Sequence, residues 1–490
     1  MQIVTSRTPS GVLTCTGEVP GRTYGSLVFA VSNRDEPLPW RGITVLTRAL
    51  ILDLLYPQAF EVEIVAGSEQ VAFQVSGTPI QVQERLKEIA DVVSDLSQTT
   101  VDAFAKTKER VSRSSSIGPT LEPGVLSVRY GLADIGLEDI ASRALEAMTL
   151  ETVTTWAAEW FVAENADVTM SKPLPASFDV NLPGRHSAVT RGSFAVSALD
   201  RPTLTSVGYD SLVLSLVMPS ATADVVYLPV LHELYDSTVM RHGFAENVSA
   251  ARPMRVDASQ SHLKFRFHKV DRAKSVERIV TALRKIARAG VAAESLSLAV
   301  ERLRTRYEEP ASVDVRLGRQ SGAALRGITD AGLAEELQTV LQLSSNDVAS
   351  AVENALPTLL VSVDSQRPDI VQTLARKNRL ELDLNHRDLV RSTTGTTPAR
   401  LNDVMTFTTD SIAGEGETVA LSSEGLFFTS ARGNTKIDFA DIRLIGDDRP
   451  WSVVLIDQGG RTETLSQENW DIDFLDALID AAPRDRIEVW

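Results

Sequence analysis

The sequence predicts an α+β protein with two repeated halves, followed by a small β-rich domain that ends in a helix. Residues 1–180 and 190–395 each run from strands into several helices, which predicts two similar units. Each closes on a capped helix and a short strand, first near Leu150 and again about 195 residues later near Ser345. After residue 401 the pattern changes to short strands with turns. With 490 residues and 43% hydrophobic content, the chain can fill the cores of three such domains.

The elements of the two halves follow from hydrophobic periodicity. The first half is predicted to have strands at 25–31, 61–66 and 71–75 and helices at 81–96, 101–111 and 137–147. Its strand at 61–66 alternates polar and apolar residues, as a half-buried strand does. The second half is predicted to have strands at 211–218, 253–257 and 262–268 and helices at 223–239, 273–289 and 293–307. A proline-rich stretch from Pro173 to Gly184 is predicted to link the halves.

The last part, residues 401–490, is predicted to be a small sheet closed by a helix at 472–481. A hairpin from Thr418 to Thr429 should turn at Glu424 and Gly425. This arrangement resembles a bacterial pleckstrin-homology-like or GRAM-like domain. The resemblance implies a sheet that binds lipids or peptides, and because the region has no basic cluster, lipid headgroups are not expected.

Composition limits the partners. The net charge of −16 repels phosphates, so neither nucleic acid nor an anionic membrane is an expected partner. A basic peptide would be attracted, although such a charge can equally serve only solubility. The single cysteine, Cys15, excludes an internal disulfide and is expected to be a buried thiol. The N-terminus has no signal-peptide pattern and no apolar run reaches a membrane span, so a cytoplasmic location is expected.

Residues 1–395 resemble one protein of the insulinase (pitrilysin) family of zinc peptidases. The resemblance is carried by Glu36 through Gly42 before a helix, by residues 104–111 and by the two closing helix–strand units. That family has an inverted H-x-x-E-H zinc motif on the helix that opens at Gly42. Here the histidine positions are Val45 and Ala49, and the glutamate position is Arg48. None of these side chains binds Zn²⁺ well, so the resemblance implies a degenerate, catalytically inactive homologue without a metal or cofactor of its own.

The resemblance also implies two-layer halves, with helices on one face of a mixed sheet, that close like a clamshell over a peptide. The third zinc ligand of the family is a glutamate on the helix matching residues 103–115, where Glu109 is better interpreted as a solvated residue. The family's substrate-holding arginine and tyrosine match residues 239–248. The tyrosine position is Glu246, and Arg241 is a shifted substitute for the arginine. The six histidines offer no i, i+4 pair for a helical zinc site.

The strand at 61–66 is the other candidate for substrate binding. In the family the matching strand pairs with the substrate backbone, a mode that needs only N–H and C=O groups and survives the loss of zinc ligands. Alternatively, the strand only closes the sheet. The candidate residues are Glu61, Val62, Glu63, Ile64 and Val65.

These observations favour a non-catalytic, substrate-binding or regulatory subunit of a heterodimeric zinc metallopeptidase. A catalytic insulinase-like partner would carry the zinc, and the pair would process peptides, for example leader peptides of ribosomally made bacterial products. The alternative is a stand-alone peptide-binding or scaffolding protein, homodimeric and without protease activity. An enzyme that uses residues outside known motifs is the least favoured interpretation.

Overall fold

The computed structural model describes most of the chain, in segments separated by short gaps. The described residues are 3–19, 21–37, 40–55, 62–66, 69–113, 125–130, 136, 145, 148–184, 199–205, 211–236, 247–251, 258–266, 272–308, 313–325, 335, 338–339, 341–363, 368–382, 392–393, 405–408, 418–430, 433–448, 452–457, 462–466, 472–484 and 487–489. They form two compact units, the first of Met1–Leu126 with Leu137–Leu384 and the second of Asn385–Trp490 with Ser127–Gly136.

The first half of unit one has a six-stranded sheet in the order β1-β2-β6-β3-β5-β4. Its strands are β1 (Ile3–Arg7), β2 (Leu13–Gly17), β3 (Thr23–Phe29), β4 (Glu63–Ala66), β5 (Val71–Gly77) and β6 (Ala166–Met170). The helices are α1 (Ile43–Leu55), α2 (Pro79–Ser94), α3 (Val101–Arg113) and α5 (Leu150–Trp160), while α4 (Val125–Tyr130) begins in unit one and belongs to unit two from Ser127 onward. The starts of α2 and α5 are fixed by hydroxyl caps, Thr78 in a capping box with Gln81 and Thr149 on the backbone of Thr152.

One face of this sheet makes the first hydrophobic core. In the strand register Leu27 stands between Val168 and Phe73, and all three are fully buried. Because the side chains of a strand alternate between faces, the neighbours of these residues point to the opposite face. Side chains of α1, α2, α3 and α5 complete the core on the first face.

The second half of unit one repeats this plan with the order β12-β7-β11-β8-β10-β9. Its strands are β7 (Thr203–Thr205), β8 (Ser211–Pro219), β9 (Asn247–Ala251), β10 (Ala258–Arg266), β11 (Leu360–Val363) and β12 (Glu381–Leu382). Its helices are α6 (Ser220–Tyr235), α7 (Arg272–Ala289), α8 (Ala293–Glu308), α9 (Val313–Leu325), α10 (Ser345–Ala355) and α11 (Pro368–Asn378). The sheet positions of β6 and β11, each after a capped helix, confirm the predicted internal repeat.

Helix α9 crosses from the second half to the first. It packs against β2, β3 and β6, on the sheet face opposite the first core. Leu317 of α9 is buried against Val19 and Ile3 there. The first sheet is therefore covered on both faces, by its own helices on one side and by a helix of the other half on the other.

Several sequence predictions need correction. The strand predicted at 25–31 lies at 23–29, and the helix predicted at 223–239 lies at 220–235. The predicted strand at 253–257 and the predicted helix at 137–147, apart from Leu145, fall outside the described residues. Sequence reasoning missed β1, β2, β7, β9, β12, α4, α9 and α11.

The stretch from Pro173 to Gly184 forms no helix or strand, as predicted, but it is packed rather than loose. Phe178 and Val180 are buried in the first core. The Ser10 hydroxyl donates to Asp179 Oδ1 at 2.6 Å. The stretch therefore seals the edge of the first core before the chain enters the second half.

Unit two contains an antiparallel sheet, a mixed sheet in which one edge strand runs parallel to its neighbour, and a helix. A five-stranded sheet has the order β13-β17-β16-β15-β14, and a four-stranded sheet has the order β20-β19-β18-β21. The strands are β13 (Ser392–Thr393), β14 (Met405–Thr408), β15 (Thr418–Ser422), β16 (Gly425–Ser430), β17 (Gly433–Asp438), β18 (Ile442–Asp448), β19 (Ser452–Asp457), β20 (Thr462–Ser466) and β21 (Ile487–Val489). The amphipathic helix α12 (Ile472–Ala481) is where the sequence predicted it, and Phe474 anchors it in the core of this unit. The hairpin turns at Ser423 and Glu424, one residue earlier than predicted.

None of the helices in the described segments is both long and apolar enough to cross a lipid bilayer.

Candidate functional site: the motif helix and the edge strand

The loop that leads into α1 is rigidly held. Ser32 and Asp35 form a reciprocal capping box around a short 3-10 turn, Asn33–Asp35. Arg34 Nη1 donates to Glu69 Oε1 at 3.1 Å, and both side chains are almost fully buried. Since Glu69 comes two residues before β5, this ion pair ties the loop to the sheet.

Glu36 then caps α1. Its Oε1 accepts from the Thr44 backbone N–H at 2.9 Å, and its Oε2 accepts from the Gly42 N–H and from Arg41 Nη1, each at 2.8 Å. A carboxylate at a helix N-terminus satisfies free N–H groups and interacts favourably with the helix dipole. Gly42 permits this tight approach because its φ is +95°. The Glu36 side chain is fully enclosed and that of Arg41 is 2% exposed, so the ion pair is buried.

The three motif positions singled out from the sequence lie on the first two turns of α1. Val45 and Ala49, four residues apart, are both buried in the first core. Arg48 is half-buried; burial lowers the pKa of its guanidinium, and the nearby Glu36 carboxylate raises it. Valine and alanine have no donor atom and arginine is a cation, so these residues do not fit a zinc ion. Within the described segments, no three His, Cys, Asp or Glu residues are grouped to hold a metal.

Helix α3 is joined to α1 by Asp53 instead. Thr107 Oγ1 donates to Asp53 Oδ2 at 2.6 Å, and Arg110 Nη2 lies 2.9 Å from both carboxylate oxygens. Arg110 Nη2 also reaches the Ala49 carbonyl at 3.5 Å. Glu109, the only candidate for a third ligand, is exposed on α3. Helices α1 and α3 are thus held together by the hydrogen bonds and the ion pair of Asp53.

Strand β4 forms one edge of the first sheet. It pairs with β5 in antiparallel register, Glu63 opposite Gln74 and Val65 opposite Ala72. Val62 and Ile64 pack against the first core, while Glu63 is exposed and Val65 is 41% exposed. Within the described part of the chain, no further strand pairs with the other side of β4. The other candidate binding residues, Glu61, Arg241 and Glu246, lie outside the described residues.

A buried carboxyl group that sequence reasoning did not single out lies on β6. Asp167 is 0% exposed and points away from the first core, toward α9. Burial raises the pKa of Asp167 to about 6, while the Ser321 hydroxyl, the Cys15 thiol, the Val168 N–H and Arg7 oppose the rise. Burial and the neighbouring Asp167 also raise the pKa of the Cys15 thiol, which is buried as expected. The sequence feature that could have revealed this group is an aspartate at the second position of the otherwise largely apolar strand Ala166–Met170.

Comparisons with known proteins add to this description. No family model and no curated protein matches the chain. Solved structures do match. A protease from Helicobacter pylori superposes with a TM-score of 0.63 at 12% identity over 74% of this chain and 98% of its own. A peptidase M16 inactive domain from Pseudomonas fluorescens gives 0.60 at 14% identity over 75% and 100%. A predicted insulinase-family protease from Yersinia pestis gives 0.54 at 10% identity over 77% and 96%.

The chain has the M16, insulinase-like peptidase fold. This fold covers about three-quarters of the chain and agrees with the two repeated sheets of unit one. At these identities the likeness concerns the fold alone, so activity and partners have to be argued from the residues of this chain.

Proposed function

We propose that this chain is a non-catalytic, substrate-binding subunit of a heterodimeric zinc peptidase. The observation that carries the proposal is the motif helix, where buried Val45 and Ala49 and half-buried Arg48 stand at the positions that the sequence resemblance assigns to the metal site of a peptidase. The solved structures of this fold include a peptidase M16 inactive domain from Pseudomonas fluorescens, which supports a chain of this fold without activity. In this proposal the zinc and its chemistry belong to a partner subunit.

The polar contacts around α1 support the proposal that the chain keeps the scaffold of a peptidase half. The Glu36 cap, the buried Arg41 ion pair and the Asp53 bonds to α3 hold the helix without any metal. The proposal is that α1 still shapes the wall of a peptide-binding space enclosed by the two halves.

Strand β4 is the proposed binding element. An extended peptide would add to its outer edge by backbone hydrogen bonds, with side chains alternating between the two faces of the sheet. The exposed Glu63 and Val65 share one face of β4, so they would select a basic and an apolar residue in the peptide. The net charge of −16 supports a basic peptide, such as a cleavable leader segment.

The alternative is a stand-alone peptide-binding homodimer. In that case unit two, with its two sheets and C-terminal helix, would serve as a pleckstrin-homology-like docking module. Both functions use the same edge strand, and they differ in whether a zinc-bearing partner is needed.

Peptide binding can be tested directly on the purified chain. Fluorescence anisotropy would compare labelled ten-residue peptides that differ only in having lysine or glutamate at alternate positions. The proposal predicts tighter binding of the basic peptide and a weakening of tenfold or more in Glu63→Lys. Glu353→Lys is the matched control, because Glu353 is exposed on α10 and the variant changes the net charge equally. Equal effects of the two variants, or no difference between the peptides, would remove β4 as the binding element.

A further inference from the structure

The most unusual polar group of unit one is Asp167. It lies in the middle of a buried strand, and neither carboxyl oxygen has a hydrogen bond of ordinary distance and angle among the described residues. The Ser321 hydroxyl of α9 and the Cys15 thiol of β2 face it, and the Ser321 oxygen likewise lacks a well-formed bond. A buried carboxyl group with so few hydrogen-bond partners is more stable in its protonated form than in its charged form.

The charges around Asp167 do not offset ionisation. On β1, Arg7 attracts the carboxylate, but Arg7 is exposed and its Nη1 donates to the Gly11 carbonyl at 2.6 Å. On β2 the facing group is the Cys15 thiol, which a charged Asp167 keeps protonated. On β3 the residues of the same face, Ser26 and Val28, have no titratable group. Among the described side chains of α9, Leu317 and Ser321 face the sheet, and Arg316 lies half-buried beside Leu317.

The position of Asp167 determines which contact its ionisation weakens. The carboxyl lies between a strand of the first half and a helix that reaches over from the second half. Charging it therefore weakens the contact between the two halves, not the interior of either core. The remaining apolar contact in the described part of this interface is small, with Leu317 between Val19 and Ile3.

We infer that Asp167 is a proton-controlled latch between the two halves of unit one. While the carboxyl is neutral, α9 rests on the first sheet. When it ionises, α9 separates from the sheet more readily, which exposes the carboxylate to water and uncovers Cys15. This device can be tested separately from the peptide-binding role of β4, because β3 and β5 lie between β6, which carries Asp167, and β4 in the sheet.

The single cysteine reports this opening. Cys15 is 0% exposed in the closed arrangement and is the chain's only thiol, so its reaction with 4,4′-dithiodipyridine requires that α9 move away. The rate in the wild type is divided by the rate in Asp167→Asn at each pH, which cancels the ordinary effect of pH on thiol reactivity. Asp91→Asn, an exposed acid on α2, is the control for the change in net charge.

The expected result is a rise of more than tenfold in this ratio between pH 4.5 and pH 7.5. Opening returns the carboxyl from a pKa of about 6 to an ordinary value about two units lower, and each unit corresponds to a factor of ten in the opening equilibrium. Asp91→Asn should follow the wild type. A ratio that stays constant within twofold across this range would overturn the latch.

A second measurement covers the case in which Asp167→Asn does not fold. Hydrogen exchange of the wild type, corrected for the intrinsic effect of pH, should show α9 losing protection as the pH rises while α2 keeps it. Equal losses in α9 and α2 would mean that the whole unit unfolds, and no loss in α9 would mean that the carboxyl does not control it. Either result would contradict the latch.

Discussion

Replacing Glu36 with glutamine should loosen the motif helix more than any other single isosteric change in its surroundings. Glu36 accepts three hydrogen bonds, from the Thr44 and Gly42 N–H groups and from Arg41 Nη1, all between 2.8 and 2.9 Å. Both side chains of the ion pair are enclosed, at 0% and 2% exposure. Breaking a buried pair from one side typically costs about 3–5 kcal/mol, because the remaining charge stays buried without this counter-charge. Loss of the helix cap alone would cost only about 1 kcal/mol.

Native-state hydrogen exchange of the α1 amides is the appropriate assay, since a chain with two compact units need not unfold in one step. A loss of about 3–5 kcal/mol corresponds to exchange that is faster by roughly two to three and a half orders of magnitude. The double variant Glu36→Gln/Arg41→Met removes both charges and should recover part of this loss. Exchange in Glu36→Gln within tenfold of the wild type would refute the reasoning, because it would mean that the enclosed pair contributes no more than a surface one.

Four other variants have defined expectations. Asp167→Asn should stabilise unit one at pH 7 by up to about 3 kcal/mol in urea unfolding. Because the pKa of Asp167 is raised to about 6, the protonated acid stabilises the folded wild type below pH 4, and this contribution to stability is lost as the pH rises through 6. A stability difference that is the same at pH 4 and pH 7 would contradict this. Asp53→Ala should cost under about 1 kcal/mol by hydrogen exchange of α3, because its partner Arg110 is 53% exposed and the pair is largely solvated; a cost above that of Glu36→Gln would reverse the assigned order. Gly425→Ala should destabilise unit two by about 1–3 kcal/mol in thermal melting, because φ is +155° and a Cβ would press on the Ile437 carbonyl. Gly318→Ala, where a Cβ meets nothing within 4 Å on α9, should instead be neutral or stabilising by up to about 1 kcal/mol, and a loss in Gly318→Ala as large as in Gly425→Ala would contradict the steric argument.

Local signals were enough for the elements that stabilise themselves. The hydroxyl caps Thr149 and Ser344 marked helices that begin one residue later, and the repeat of a capped helix followed by a strand led to two matching sheets. The alternation at residues 61–66 predicted a half-buried strand, and β4 is such a strand at the sheet edge. In these cases side-chain periodicity and helix caps were sufficient to predict the element.

Elements stabilised by distant partners were missed. Helix α9 contains Gly318, Ser321 and Gly322, residues that a helix disfavours, and it is held by a sheet that lies more than a hundred residues earlier in the chain. Strand β1 is largely exposed, so its sequence shows little hydrophobic alternation and its pairing with β2 defines it. The role of Asp167 depends on both elements. Its burial could not be foreseen until the helix that covers it was known.

The sequence resemblance assigned the motif positions to Val45, Arg48 and Ala49 in a nine-residue stretch, and this assignment stays a prediction. The contacts that hold these positions were not foreseen. The Glu36 cap joins residues 5 to 8 positions apart, and the Asp53 bonds to Thr107 and Arg110 join residues 54 and 57 positions apart. Only the folded structure brings these groups together.

The most direct test of the proposed role is to isolate the chain from its native host under gentle conditions and to measure the metal and subunit content of what comes with it. A non-catalytic subunit should bring down a homologous chain that has an intact H-x-x-E-H motif, near one to one, with about one zinc per pair. Peptide cleavage by that complex should disappear when either chain is removed. Recovery of this chain alone, free of metal and self-associated, would contradict the subunit role and leave peptide binding by a homodimer as the function to pursue.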